Sequence, residues 1–279
     1  MGPGGPLVTV RAATLAGGEK NQDRFAYGDG WAFVLDGASS FGTTQPEHDG
    51  AWYAERLKNK LVDELTARPV DATTDIVSKA IENASAAHDD PESCPTSTLA
   101  IARWTNEVVE VYVLGDSTAA LIHSEQESAV TDSRLAAIAP DLRTEYRSRL
   151  ADGHGFDSQH RALLQQLQSR QEAARNQGGG YWIAGAEPGA AHHAIGDRLP
   201  LSKIEAIVLA TDGAASALEY GTVDSWAAFA RSDLRPLLEA LHEAEESDQQ
   251  AITWPRSKAH DDKTLLVIDF GTTYQRQSR

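Results

Sequence analysis

Five stretches of this chain set an aspartate at the rim of a strand-like run: Asp23 in NQDRF, Asp36 in VLDG, Asp116 in LGDS, Asp212 in LATDG and Asp261–Asp262 in HDDKT. The runs AFVL (32–35), IEAIVLA (204–210) and TLLVIDF (264–270) are apolar without alternation, which predicts strands buried on both faces. Aspartate is a favoured turn and cap residue, so each site taken singly reads as a turn. Taken together, they crowd carboxylates along one edge of a buried sheet, where each raises the pKa of the others. Hard divalent cations hold such a group ionised, and Mg²⁺ and Mn²⁺ prefer oxygen donors.

The rest of the chain alternates strands with pairs of helices, and no internal repeat occurs. Strands are expected at 7–13 and 31–35, then helices from Glu47 to about Ala67 and from Thr74 to His88, separated by Pro69. Trp52, Leu57, Leu61 and Leu65 fall at helical spacing in the first of these. Strands 98–103, 108–114 and 118–123 follow, and the gaps at Asn106 and Gly115-Asp116-Ser117 suit antiparallel hairpins. Residues 133–177 are polar and helical, broken near Asp152–Gly155, and read as an inserted helical pair or flap. GGGYWIAG returns to strand, helices are expected at 223–231 and 233–246, and the tail from about 271 should be loose. The class is α+β, with two sheet layers covered by helices, and the whole of 1–279 is expected to form one domain.

Charge narrows the partners. There are 41 acidic against 25 basic residues, a net charge of -16, which repels phosphate backbones and anionic lipid. Nucleic acid and membrane are therefore not expected as partners. Cys94 is the single cysteine, so no internal disulfide or thiolate zinc site can form. No apolar stretch approaches the roughly 20 residues of a membrane span. MGPGGPLVTV lacks the basic and apolar regions of a signal peptide, which makes the cytoplasm the expected compartment.

In order, NQDR, DGASS, PTSTLA, GDSTA, ATDG and HDDKT resemble the signature blocks of the PP2C-type (PPM) metal-dependent protein serine/threonine phosphatases, over about residues 8–270. Each block is short, and the specificity lies in six of them in the right order. The resemblance implies a four-layer αββα sandwich, two antiparallel sheets flanked by helix pairs. It also implies a site holding two Mn²⁺ or Mg²⁺ ions. Asp36 matches the aspartate that bridges the ions, and Gly37 the glycine whose carbonyl binds the second. Asp212 and Asp261 match the remaining aspartates of the first ion, and Asp116 one that helps hold a third. Asp23 matches an aspartate that orients water at the ions. The implied reaction is attack of ion-activated water on a phosphomonoester, with no phosphoenzyme; Asp23 and Asp36 are its candidate catalytic residues.

Several positions depart from the family pattern. Gln22 stands where a glutamate is usual, which removes a ligand charge and should weaken the second metal. The arginine that commonly binds substrate phosphate has no counterpart in Gly17–Lys20, leaving Lys20 and Arg24 as candidates. Ala38 stands where some relatives carry a histidine acid, and Thr118 where many carry arginine. His154, His192, His193 and Cys94 are expected to be structural or surface residues. The expected function is a metal-dependent phosphatase acting on phosphoproteins. The rivals are a phosphatase of small phosphorylated metabolites and a non-catalytic pseudophosphatase, the latter on the grounds of Gln22 and the missing arginine.

Overall fold

A computed structural model describes residues 8–39, 47–124 and 126–271. The chain runs β1 (Thr9–Leu15), β2 (Asp23–Gly28), β3 (Trp31–Ala38), α1 (Gly50–Ala67), α2 (Thr73–Ser85), β4 (Thr96–Trp104), β5 (Val108–Leu114), β6 (Thr118–Ile122) and β7 (Glu127–Thr131). It continues through α3 (Pro140–Ala151), α4 (Ser158–Ala174), β8 (Ile195–Pro200), β9 (Ala206–Ala210), α5 (Asp212–Glu219), α6 (Trp226–Arg231), α7 (Leu234–Ser247) and β10 (Lys263–Asp269). The strands form two antiparallel five-stranded sheets, ordered β1-β10-β9-β6-β7 and β2-β3-β4-β5-β8.

The unalternating apolar runs follow from this layering. Successive side chains of a strand point to opposite faces. On β3, Trp31, Phe33 and Leu35 meet α1 and α2 through Leu57, Leu61 and Ile76. Ala32 and Val34 point the other way, into a core shared with Ile207, Leu209, Leu266 and Ile268 of the second sheet. That sheet's outer face, with Val208, Leu265 and Val267, is covered by Phe229 of α6 and by Leu237, Leu238 and Leu241 of α7. Helix, sheet, sheet and helix therefore stack in four layers, an α+β sandwich. No helix among the described residues is long and apolar enough to cross a membrane.

The segment 133–177 holds α3 and α4, which enclose a small core of their own. Tyr146 and Leu150 of α3 meet Leu163 and Leu167 of α4, with Ala251 from the loop after α7 closing the cluster. Tyr146 also packs edge-on against the buried His160.

Two local expectations differ from the structure. The Gly115–Ser117 gap is no hairpin: β5 and β6 lie in different sheets, and the chain crosses between them there, with Gly115 at φ +86°. GGGYWIAG forms no strand, and its only pairings among the described residues are the isolated bridges Arg175–Tyr181 and Ser97–Ala184. His192 and His193 lie on a 3₁₀ turn, and His193 stacks on Trp182. Beyond the 204–210 strand, DGAASALE forms α5. The expected loose tail falls at 272–279, outside the described residues.

Candidate active site

Strand ends bring the aspartates together. Asp36 pairs with Asp23 of β2 on one side and Thr98 of β4 on the other. Asp212 lies two residues after β9 and opens α5, while Asp261 lies two residues before β10, the strand hydrogen-bonded to β9. Asp116 sits at the crossing between the sheets. Asp36, Asp116, Asp212 and Asp261, with Gly37 and Gln22, line one cavity of about 480 Å³. A second chamber, of about 430 Å³, adjoins it and shares Asp116, Asp212 and Asp261.

Close packing fixes the backbone beside these carboxylates. A Cβ on Gly37 would stand 2.4 Å from the Gly50 carbonyl oxygen, so only glycine lets β3 meet the start of α1. Asp49 caps that helix, its Oδ1 accepting from the Trp52 amide at 2.9 Å, and the Gly50 amide donates to Ser39 Oγ at 3.0 Å. Gln22 fastens to the same corner: its carbonyl accepts from the Gly37 amide at 3.3 Å and its Nε2 lies 3.4 Å from Ser39 Oγ. The two aspartates of HDDKT divide the work. Asp262 turns inward, Oδ1 accepting from the Gly17 amide and Oδ2 from the Gln22 amide, each at 2.7 Å, which holds the 17–22 loop against the sheet. Asp261 faces the cavity. Gly213 permits this contact, since a Cβ there would lie 2.1 Å from the Asp262 carbonyl oxygen.

The carboxylates raise one another as their crowding predicts. Loss of solvent is the first cause for every member of the cluster. It pushes Asp23 up to about 8, against hydrogen bonds from Thr211 and Thr264. Asp36 is raised well above the usual carboxylate range, by burial first and then by Asp212, Asp23 and Asp261. Asp212 is raised as well, next by Asp116, and its carboxyl hydrogen-bonds that of Asp36. Asp261 reaches about 6, held back by Lys258 and Lys263. Asp116 moves the same way. Asp23 itself is 3 % exposed; Thr211 Oγ1 donates to its Oδ2 at 2.8 Å, and its Oδ1 has no partner among the described residues.

Lys20 and Arg24 lie elsewhere. Lys20 pairs with Asp49 at the cap of α1, and Arg24 Nε donates to Glu55 Oε2 at 2.7 Å. Neither lines the two chambers. Arg147 and Arg256 line the second chamber alone, and the cations that line both are Lys258, whose Nζ is 2.6 Å from Asp261 Oδ1, and Arg143 of α3. Sequence reasoning passed over both, because a basic residue in a polar helix or loop reads as a solvated one. It also passed over Lys263, which is fully buried, with Nζ 2.7 Å from both Glu245 Oε2 and the Asp261 carbonyl oxygen. The run of Asp, Asp, Lys directly before an apolar strand was the available signal. Cys94 is buried in the core beneath α1 and α2, its thiol pushed up to about 11 by burial. His154 is exposed and lines neither chamber.

The family model for protein phosphatase 2C matches residues 12–254. Among solved structures, the PPM Ser-Thr phosphatase MsPP from Mycobacterium smegmatis, in complex with cacodylate, is similar at a TM-score of 0.55 and 20 % identity, over 96 % of this chain and 100 % of that one. The serine/threonine phosphatase Stp1 from Staphylococcus aureus gives 0.55 and 14 %, over 95 % and 96 %. The catalytic domain of the phosphatase PstP, in complex with two manganese ions, gives 0.51 and 14 %, over 94 % and 97 %. At these identities the likeness is one of fold. No curated protein sequence matches the chain. The family match stops short of Asp261, which the pairing of β9 with β10 nevertheless brings to the same cavity wall.

Proposed function

Because the chain belongs to the protein phosphatase 2C family, we propose that it is a metal-dependent phosphomonoesterase acting on phosphoserine and phosphothreonine of proteins, with Mn²⁺ or Mg²⁺ as cofactor. The observation that carries this reading is the convergence of Asp36, Asp116, Asp212 and Asp261, from four separate segments, on one cavity.

The donor set fits divalent ions. Its oxygens are hard, its carboxylates are raised by burial and then by one another, and the backbone at Gly37 is packed too tightly for any side chain. In this reading Asp36, Asp212 and Asp261 with the Gly37 carbonyl hold two ions, and Asp116 contributes to a third. Bound there, the ions supply Lewis acidity and activate water near neutral pH. The chain's own residues do the rest. Asp262 and Gln22 hold the 17–22 loop in place, and Thr211 orients Asp23 behind Asp36. Asp23 keeps Oδ1 available to hold a proton. The acidic wall needs those cations before it can accept a phosphoryl group, which is how a chain of net charge -16 takes an anionic substrate. The compartment of this reading is the cytoplasm, and neither nucleic acid nor membrane is a partner.

The test is hydrolysis of an aryl phosphate with Mn²⁺, Mg²⁺ or a chelator, by the parent and by Asp212→Ala. Activity that survives both chelator and substitution sinks the two-ion reading; no turnover with any metal favours the pseudophosphatase. The position of α3 and α4 over the cavity favours one further reading, a small phosphorylated metabolite as substrate. Parallel assays on phosphopeptides and on sugar and nucleotide phosphates separate the two.

A further inference from the structure

Most basic side chains near the acidic wall are already neutralised. Lys258 pairs with Asp261, Arg147 with Glu219 at 3.7 Å, and Arg256 with Asp248 at 3.2 Å, while Lys20 and Arg24 turn to Asp49 and Glu55. Arg143 is different. It lines both chambers, in company with Asp116 and Asp212. Among the described residues no carboxylate oxygen lies within 4.0 Å of its nitrogens. Its hydrogen bonding there is a single contact, Nη2 donating to the Leu135 carbonyl at 3.1 Å, and its Nε is buried with no acceptor. A buried donor without a partner is costly, and a guanidinium has five donors in a fork that suits tetrahedral oxyanions. Its charge still reaches Asp116. A gap therefore separates an unpaired guanidinium from a wall of carboxylates.

We propose that Arg143 binds the phosphoryl oxygens of the substrate, clamping the group from the side opposite the acidic wall. The inference rests on the phosphatase reading and deepens it, since it makes the helical pair a part of the phosphate site. The helix delivers the residue by its spacing: Arg143, Tyr146 and Arg147 are neighbours on one face of α3. Tyr146, 3 % exposed, anchors that face to α4. Arg143 is thus held from behind by the helical pair.

The test is calorimetric titration of the Mn²⁺-loaded protein with inorganic phosphate, alongside KM for an aryl phosphate. Arg143→Met should weaken phosphate binding about 10- to 100-fold and raise KM similarly, the range for a lost charged hydrogen bond. Arg143→Lys should fall between, since an ammonium restores the charge without the fork. Mn²⁺ affinity, read by paramagnetic resonance, should stay within about threefold in both variants, and circular dichroism confirms that they fold. Phosphate affinity in both variants within about twofold of the parent overturns the inference, as does a parent that binds no phosphate. A parent that binds phosphate through Arg143 but hydrolyses nothing overturns the phosphatase reading alone. A parent that hydrolyses, with KM and phosphate affinity indifferent to Arg143, overturns this inference alone.

Discussion

Asp23 stands directly opposite Asp36 in the ladder of β2 and β3. Two carboxylates thus share one face of a sheet at cross-strand distance, where like charges destabilise the pair. With no ion bound, burial and the neighbouring carboxylates raise both groups and favour their protonated forms.

That proton uptake has a pH signature. Asp23 is pushed up to about 8 and Asp261 to about 6, and Asp36 and Asp212 also rise, against about 4 in the unfolded chain. Groups raised in the folded state stabilise it fully below their unfolded pKa, and that contribution is lost as pH climbs through the folded value. Chelator-treated protein should therefore lose Tm steadily from pH 5 to pH 8, and Asp23→Asn should flatten the slope. Mn²⁺ should raise Tm more at pH 8 than at pH 5, since at low pH it competes with protons. A slope that is unchanged in Asp23→Asn would count against this account.

Gly37→Ala should cost both structure and chemistry. The new methyl meets the Gly50 carbonyl oxygen at 2.4 Å and the Gln22 carbonyl oxygen at 2.9 Å, backbone atoms that cannot step aside. Tm should fall, and metal-dependent turnover should drop by about tenfold or more, as expected when site atoms are displaced by about 1 Å. Gly18→Ala is the control: a Cβ there has nothing within 4 Å and should leave both measurements unchanged.

Gln22→Glu should tighten Mn²⁺ binding. Gln22 lines the cavity beside Gly37, and the substitution adds a charge without adding bulk. Ligand charge is a main lever on cation affinity. Competition with a metal indicator should show a lower Kd. An unchanged or higher Kd would mean that the side chain at 22 does not reach the ions.

The buried pair Lys263–Glu245 is a stability test close behind Asp261, whose carbonyl oxygen Lys263 also holds. Lys263 is 0 % and Glu245 2 % exposed, 2.7 Å apart. Removing one partner from such a pair costs about 3–5 kcal/mol. Lys263→Met should approach the lower end, because His260 Nδ1 lies 3.1 Å from the same Glu245 oxygen. Adding Glu245→Gln should recover part of the loss. Urea denaturation of the chelated protein reads both.

The central strands were legible because burial on both faces leaves an apolar run that no helix of that length would show. Two of the edge strands were not, although β1, expected at 7–13, was. Glu127–Thr131 is largely exposed, and Ile195–Pro200 carries Gly, Asp, Arg and Pro, so neither has an apolar signature. The Gly115–Ser117 crossing was read as a hairpin because a three-residue gap does not reveal whether the next strand joins the same sheet. At the site, Asp36, Asp116, Asp212 and Asp261 could be found because strand ends mark them. Arg143 could not. Its place depends on how α3 lies over the body, and nothing in PDLRTEYRSRLA distinguishes it from Arg147 or Arg149.

Because the chain changes sheets at Asp116, the cavity wall works as a rivet hole drilled through two plates. Asp36 rides on one plate, Asp212 and Asp261 on the other, and Asp116 on the strap that joins them. Whatever is held there fastens the plates together, and a slip of about 1 Å between them is enough to spoil the alignment. A partner that pressed on the helices of either outer face, far from the carboxylates, would then have a mechanical handle on turnover without touching the cavity.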